Sequence, residues 1–168
     1  MGHCKWCDRS GIFFSVNERG LCSECDFKFI NEGKSRTRVI NNCEEIIGKS
    51  NNPETVISRT NVLIDNLNQL SKYEVKGIQV LTRPTKDLIE DFSQTCNDRI
   101  LEIMTNEFQI SREKIDKTIS NKAKIDACEK YISKVIEIKG QLFTDVPNYQ
   151  ITLKIMEKLI KEMKSFVS

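Results

Sequence analysis

Residues 4–25 read CKWCDRSGIFFSVNERGLCSEC, and this stretch decides how the rest of the chain is interpreted. Two Cys-x-x-Cys pairs, Cys4 with Cys7 and Cys22 with Cys25, flank a spacer of fourteen residues. Each pair can turn both sulfurs inward on one tight knuckle, and four thiolates form the tetrahedral shell that Zn²⁺ prefers. Because the spacing occurs twice at a suitable separation, it predicts one structural zinc ion per chain, bound by these four cysteines. His3, beside the first ligand, is a minor alternative to Cys4.

The composition is typical of a surface-rich helical protein. Hydrophobic residues make up 39% of the 168 residues and charged residues 30%, and only seven Gly and three Pro interrupt the chain. No run approaches the roughly eighteen apolar residues of a transmembrane helix, so no membrane association is expected. The N-terminus also lacks the apolar region of a signal peptide. We therefore expect a cytoplasmic location, which favours a metal over disulfides for the paired cysteines.

The spacer between the two cysteine pairs predicts a small hairpin. Ile12, Phe13, Phe14 and Val16 are β-prone, and residues 17–20 (NERG) have the composition of a turn, so a hairpin is expected over residues 11–21. A helix is expected to begin directly at the second pair.

Knuckle, hairpin and a second ligand pair at a helix start resemble the treble-clef class of four-cysteine fingers. A plain zinc ribbon, with the same ligands and no helix, is the close alternative. The resemblance extends only to Cys4, Cys7, Cys22 and Cys25. It implies a structural zinc site in families of which many contact nucleic acid or protein.

The sequence that follows the two cysteine pairs predicts about five helices and thus a mainly α protein. Apolar residues recur at helical spacing over residues 23–48, from Pro53 through Leu70, and from Pro84 to about residue 119. A fourth helix is expected from Asn121 to Gly140, and a fifth after Pro147. Short connections favour an antiparallel bundle or a stack of helical hairpins. The predicted organisation is a finger module over residues 1–33 and an α-helical domain over residues 34–168.

Several local features complete this prediction. Residues 34–38 (KSRTR) have no apolar face, which predicts a bend or break in the first helix. The fourth helix is expected to be capped by Asn121, and residues 78–83 (IQVLTR) to pack as an extended connector. The expected buried positions are Ile125, Cys128, Ile132 and Val135 in the fourth helix and Thr152, Ile155, Leu159, Met163 and Phe166 in the fifth. The isolated cysteines Cys43, Cys96 and Cys128 are expected to pack as buried thiols.

Nothing in the sequence indicates catalysis. The only histidine is His3, and general acid–base chemistry most often uses that side chain. Four thiolates would fill the coordination shell that a catalytic zinc leaves partly open. Neither a Gly-rich phosphate loop nor a Gly-x-Ser-x-Gly elbow is present. We therefore expect a non-enzymatic protein.

The charge distribution is compatible with nucleic-acid binding. Residues 1–38 contain seven basic and five acidic side chains, and this excess of two equals the net charge of the whole chain. Lys34, Arg36 and Arg38 are the candidate nucleic-acid contacts within this segment. Yet a strong phosphate-binding surface commonly uses about six to ten cations. Trp6 and Phe13 could stack on bases, although in so small a module they are expected to cover the zinc knuckles.

Two functional hypotheses follow from the sequence. In the first, the finger and the helices form an interaction or adaptor protein that docks onto a protein partner. In the second, the finger and residues 34–38 form a nucleic-acid-binding regulator. The first is favoured, because catalytic residues are absent and residues 39–168 carry equal numbers of basic and acidic side chains, nineteen of each. The Ile-, Lys- and Asn-rich composition is typical of AT-rich genomes, such as those of certain bacteria or their phages.

Overall fold

The structure, a computed structural model, describes residues 2–167, and this part of the chain is mainly α as predicted. Two short antiparallel strands, β1 (Gly2–His3) and β2 (Ser10–Gly11), pair Gly2 with Gly11 and His3 with Ser10. The helices that follow are α1 (Ser23–Lys49), α2 (Pro53–Val75), α3 (Thr85–Lys117), α4 (Asn121–Lys139) and α5 (Tyr149–Lys164). None of the helices within residues 2–167 has the length and apolar character needed to cross a membrane.

The described residues form two compact units. Unit 1 contains residues 2–45 and 61–91, and unit 2 contains residues 46–60 and 92–167. Both units are discontinuous in sequence, because α1, α2 and α3 each continue from one unit into the other. The predicted boundary, with a finger over residues 1–33 and a helical domain over residues 34–168, is a different division and stays a prediction.

Unit 1 is built around the start of α1 and the second half of α2. Leu63, Leu67 and Leu70 recur at helical spacing in α2, and all three are fully buried. Two polar contacts also join the helices: Tyr73 Oη donates to Glu32 Oε2 at 2.6 Å, and Arg36 donates to Asn66 Oδ1 at 3.1 Å. This half of α2 is therefore anchored to α1 by side chains from both helices.

The end of α2 and the connector to α3 are fixed by backbone geometry. Gly77 has φ +70°, its N–H donates to the Glu74 carbonyl at 2.8 Å, and the Ile78 N–H donates to the Tyr73 carbonyl at 3.0 Å. These bonds form a Schellman motif, in which the residue after the glycine commonly packs back on the last turn. Ile78 is accordingly 1% exposed. Glu74 also accepts the backbone N–H and the hydroxyl of Thr85, which ties the start of α3 to the end of α2.

Unit 2 has its own apolar core, supported by buried polar contacts. The Asn97 side chain donates to the Phe143 carbonyl at 2.8 Å and accepts the Phe143 N–H at 3.0 Å, which holds the α4–α5 loop on α3. Tyr131 Oη donates to the Met104 carbonyl at 2.9 Å and joins α4 to α3. The largest fully buried side chains of this unit are Val56, Ile100, Met104, Val135, Ile138, Met156 and Met163.

The helix boundaries agree closely with the periodicity, but the predicted break at residues 34–38 is wrong. Helix α1 is continuous through this segment. The Arg36 guanidinium lies 2.7 Å from the Glu32 carboxylate one turn earlier, and it also reaches Asn66 on α2. These contacts give a polar segment the tertiary support that its sequence lacks. At the α1–α2 turn, the Asn52 side chain accepts the Thr55 N–H and Pro53 opens α2 as predicted.

The predicted faces of α4 and α5 are partly wrong. Ser120, not Asn121, caps α4, because its side chain accepts the Ala123 N–H at 3.4 Å. Ile125 is 41% exposed and Ile132 is half-buried, because the buried face of α4 is turned to include Tyr131, whose hydroxyl needs its partner on α3. In α5 the buried positions are Thr152, Met156, Leu159 and Met163, whereas Ile155 is exposed and Phe166 is half-buried.

A β-hairpin is present, but not over the predicted residues. Its strands lie on either side of the first cysteine pair, and residues 12–16 contain no strand. Gly2 makes this possible, because a Cβ at this position would lie 2.0 Å from the Phe14 carbonyl oxygen. The apolar run at residues 12–16 therefore folds back as a loop across β1. The predicted turn at residues 17–20 is confirmed by the bond from the Gly20 N–H to the Asn17 carbonyl at 2.8 Å.

Candidate metal centre

The four predicted ligands converge on one point. The Sγ atoms of Cys4, Cys7, Cys22 and Cys25 all lie within 4.8 Å of one another. Four sulfurs at the usual Zn–S distance of about 2.3 Å form a tetrahedron with edges of about 3.8 Å. The Sγ atoms of Cys7 and Cys22 are 4.0 Å apart, close to such an edge. The donor set is therefore positioned to bind a metal ion, and its chemistry fits zinc.

The first pair is shaped by the hairpin that surrounds it. The Cys4 N–H donates to the Arg9 carbonyl, and the Asp8 N–H donates to the Cys4 carbonyl, both at 2.9 Å. These bonds close a tight knuckle around Cys4 and Cys7. Asp8 completes it in the left-handed region at φ 59°, which costs free energy for a residue other than glycine.

The second pair is positioned by a turn and by the first turn of α1. Asn17 Oδ1 accepts the N–H groups of Arg19 and Leu21, which holds the chain as it enters Cys22. Cys22 immediately precedes α1, and Cys25 lies in its first turn. The Lys5 N–H donates to the Gly20 carbonyl at 2.9 Å and so connects the two knuckles directly.

The local electrostatics favour a thiolate at Cys4. Burial raises the pKa of this thiol, but the backbone N–H groups of Cys7, Cys22 and Trp6 outweigh it and lower the pKa to about 6. One of these groups, the Cys22 N–H, lies 3.4 Å from Cys4 Sγ. Burial among the other thiols raises the pKa of Cys25. A cation at the centre would favour deprotonation of all four ligands.

An apolar cluster covers the cysteine site, and residues from α2 and the α2–α3 connector complete it. Trp6 stacks on Tyr73 with ring centroids 4.2 Å apart, and Phe29 meets the same ring edge-on at 5.0 Å. We call this the finger cluster. Its buried members are Cys4, Leu21, Cys22, Cys25, Phe29, Tyr73 and Ile78, and partly buried Trp6, Cys7, Phe14, Val16, Ile30 and Val80 pack against them.

Sequence reasoning missed Tyr73 and Ile78, because they lie far along the chain from the cysteines. The Gly77 helix ending, followed by an apolar residue, was the one local signal that Ile78 would be buried. Of the two aromatic residues expected to cover the knuckles, Trp6 does so. Phe13 does not, since its side chain is fully exposed at 101%.

The other sequence candidates lie outside the centre. His3 is exposed, 3.8 Å from Asp8, and Cys4 rather than His3 completes the four-ligand group. The thiols of Cys43, Cys96 and Cys128 are buried in helices, as expected for packing residues. Burial raises the pKa of Cys96 to about 11.

The three candidate nucleic-acid contacts are not equivalent. The Arg36 side chain is bound by Glu32 and Asn66, so it is already engaged within unit 1. Lys34 and Arg38 are exposed on α1 and, within residues 2–167, form no ion pair. Only two of the three predicted cations are therefore available to a ligand.

No known protein family, curated protein or solved structure matches this chain. Four convergent cysteines, a two-stranded hairpin and a second cysteine pair at a helix start are together compatible with a zinc finger.

Proposed function

We propose that this chain is a non-enzymatic interaction protein, in which one structural zinc ion per chain holds the N-terminal finger in shape for a protein partner. The observation that carries the proposal is the convergence of the four sulfurs of Cys4, Cys7, Cys22 and Cys25. Four thiolates supply a complete tetrahedral shell, and closed shells of this kind are structural.

The surroundings of the site support a structural role. Cys4, Cys22 and Cys25 are 0%, 6% and 7% exposed, and the finger cluster covers them. A segment as short as residues 2–25 cannot bury enough apolar surface to fold alone, so bound zinc would contribute its folding free energy directly. When bound, the metal would supply cross-linking rather than chemistry. The residues of this chain supply the apolar cover and the N–H groups that favour thiolate at Cys4.

An exposed apolar tip on the finger supports a protein partner. Ile12 is 76% exposed and Phe13 is fully exposed, in the loop between the two cysteine pairs. Both ends of this loop are fixed, by β2 on one side and by the turn at residues 17–20 on the other. Covering such side chains gains about 25 cal/mol per Å² of apolar surface, and aromatic residues are enriched at protein interfaces.

Nucleic-acid binding is the alternative, and the two free cations of α1 favour it. Lys34 and Arg38 are one turn apart, and a helix can present such side chains to phosphates. Two contacted phosphates would make log K fall by only about 1.8 per tenfold increase in salt, which corresponds to weak electrostatic binding. The charge available therefore favours the protein partner.

Metal analysis tests the zinc site. The purified protein is expected to contain one zinc per chain, and Cys22→Ser combined with Cys25→Ser is expected to abolish this content. Cys43→Ala is the matched control, because it removes a buried thiol outside the group of four and should retain full zinc. Zinc-free wild type, or full zinc in the double variant, would exclude the proposed site.

Partner capture and gel shifts distinguish the two kinds of partner. We expect immobilised wild type to capture a protein from its host, and the double variant Ile12→Ala with Phe13→Ala to lose that protein. Phe27→Ala is the control, because it alters an exposed aromatic residue on α1 and should still capture the same protein. Electrophoretic shifts with duplex and single-stranded DNA at 50 and 150 mM salt should show no binding below micromolar concentrations at the higher salt, and a selected-sequence screen extends this test to specific sites. Submicromolar binding abolished by Lys34→Ala with Arg38→Ala would instead establish the nucleic-acid function.

A further inference from the structure

The four cysteines of the centre are not equally protected. Cys4, Cys22 and Cys25 are buried, whereas Cys7 is only partly buried. Its Sγ lies 4.0 Å from Cys22 Sγ. An oxidant approaching from solvent therefore meets Cys7 first, and a second sulfur lies within reach of the product.

We propose that this centre is a redox switch, in which a hydroperoxide oxidises Cys7, a Cys7–Cys22 disulfide forms, and zinc is released. The inference rests on the zinc site proposed above. In the first step the Cys7 thiolate attacks one peroxide oxygen, the O–O bond breaks, and the leaving oxygen takes a proton to become water or an alcohol. In the second, the Cys22 thiolate attacks the Cys7 sulfur, the S–O bond breaks, and the hydroxide released takes a proton to become water.

This sequence balances with the peroxide as the only oxidant. Two electrons pass from the two sulfurs to the peroxide, and two protons are consumed. Of the four sulfurs, only those of Cys4 and Cys25 then remain available to a metal ion. Because two ligands cannot maintain a closed tetrahedral site, the folding free energy that zinc contributes to the finger is lost.

Contacts near Cys7 connect the knuckle to α1 and α2, so oxidation of Cys7 would affect both helices. Trp6, the adjacent residue, stacks on Tyr73 of α2, and the Tyr73 hydroxyl donates to Glu32 of α1. A disulfide that reshapes the knuckle would therefore release Trp6 from Tyr73 and open the finger cluster. The switch would thus alter the contact between the finger and the two helices of unit 1 that support it.

The three other thiols, outside the centre, are protected from oxidation by burial. Cys43, Cys96 and Cys128 are 3%, 0% and 0% exposed, so a peroxide has little access to them while the helices are folded. Burial also keeps Cys96 protonated at neutral pH, since its pKa is raised to about 11. The oxidation should therefore be confined to the centre.

A peroxide titration of the zinc-loaded protein, with the finger and all five helices present, tests the switch. Zinc content is measured first, so that failure of the zinc site is recognised before any oxidant is added. Zinc release is then followed with a chromophoric chelator, and Trp6 fluorescence reports on the finger because the chain has a single tryptophan. Peptide mapping identifies the oxidised cysteines.

The expected result is release of one zinc together with a Cys7–Cys22 disulfide, at least about tenfold faster than oxidation of Cys43, Cys96 or Cys128. A change in Trp6 fluorescence should accompany it, and a phosphine reductant with added zinc should restore both signals. Zinc loaded normally but retained while other thiols oxidise, or a disulfide between other cysteines, would overturn the switch and leave the structural zinc site intact. The mapping needs only wild type, so it does not depend on whether Cys7→Ser folds.

Discussion

Replacing Ile78 by alanine should weaken zinc binding, although this residue lies 53 positions beyond the last ligand, Cys25. Ile78 is 1% exposed and belongs to the finger cluster with Cys4 and Cys22. The substitution removes three carbon atoms, at about 0.8 kcal/mol for each buried methylene, and it leaves a cavity as well. We expect a loss of about 2 to 3 kcal/mol, because the small finger can partly collapse onto the site.

This loss should appear in the zinc affinity, because the cluster and the metal shell are parts of one folded unit. A cost of about 2 to 3 kcal/mol corresponds to binding that is weaker by a factor of roughly 30 to 150. Competition with a chromophoric chelator measures the affinity, and far-UV circular dichroism checks that the helices remain folded. Val75→Ala is the control, since Val75 is 86% exposed near the same end of α2. Equal zinc affinities for the two variants would refute the coupling of the connector to the centre.

Three further predictions concern the same region. Tyr73→Phe should cost about 1.5 kcal/mol or more at pH 7, because the hydroxyl donates to an ionised carboxylate at 2.6 Å. That hydrogen bond lowers the pKa of Glu32, so its contribution is complete above the ordinary value of 4.5 and is lost as the pH falls through the lowered pKa. Urea unfolding should therefore give a difference between Tyr73→Phe and wild type that shrinks as the pH falls below 4.5, and a difference that does not change with pH would contradict this account. Asp8→Gly should raise finger stability by about 0.5 kcal/mol in thermal unfolding, because it relieves a left-handed conformation at φ 59°, and a decrease would contradict this account. Chelation of zinc should leave most of the helical signal in far-UV circular dichroism, because the core of unit 2 contains none of the four cysteines. Loss of most of that signal would show instead that the helices depend on the finger.

The cluster of four cysteines was predictable because Cys-x-x-Cys spacing is a local constraint. Helix boundaries were predictable for the same kind of reason: Pro53 and Gly140 act on their own neighbours, and the fold class follows from periodicity. The cover of the site was not predictable, since the stacking of Trp6 on Tyr73 depends on how α2 returns to α1. No spacing rule describes a contact of that kind.

The errors have equally specific causes. The run at residues 12–16 has high β propensity, but β1 forms before Cys4 because Gly2 tolerates the close approach of the Phe14 carbonyl. The break expected at residues 34–38 ignored Arg36, whose partners Glu32 and Asn66 replace an apolar face. In both places, tertiary contacts outweighed local preference.

The stacking of Trp6 on Tyr73 also orders events during synthesis. These rings are 67 residues apart in the chain, from position 6 to position 73. At roughly 5 to 20 residues per second, a ribosome needs about 3 to 13 s to add that length. All four cysteines are therefore translated seconds before Tyr73 and Ile78, which complete their cover. During this interval Tyr73 and Ile78 cannot shield the nascent thiols, and the finger cluster is completed only when the end of α2 and the connector that follows it emerge.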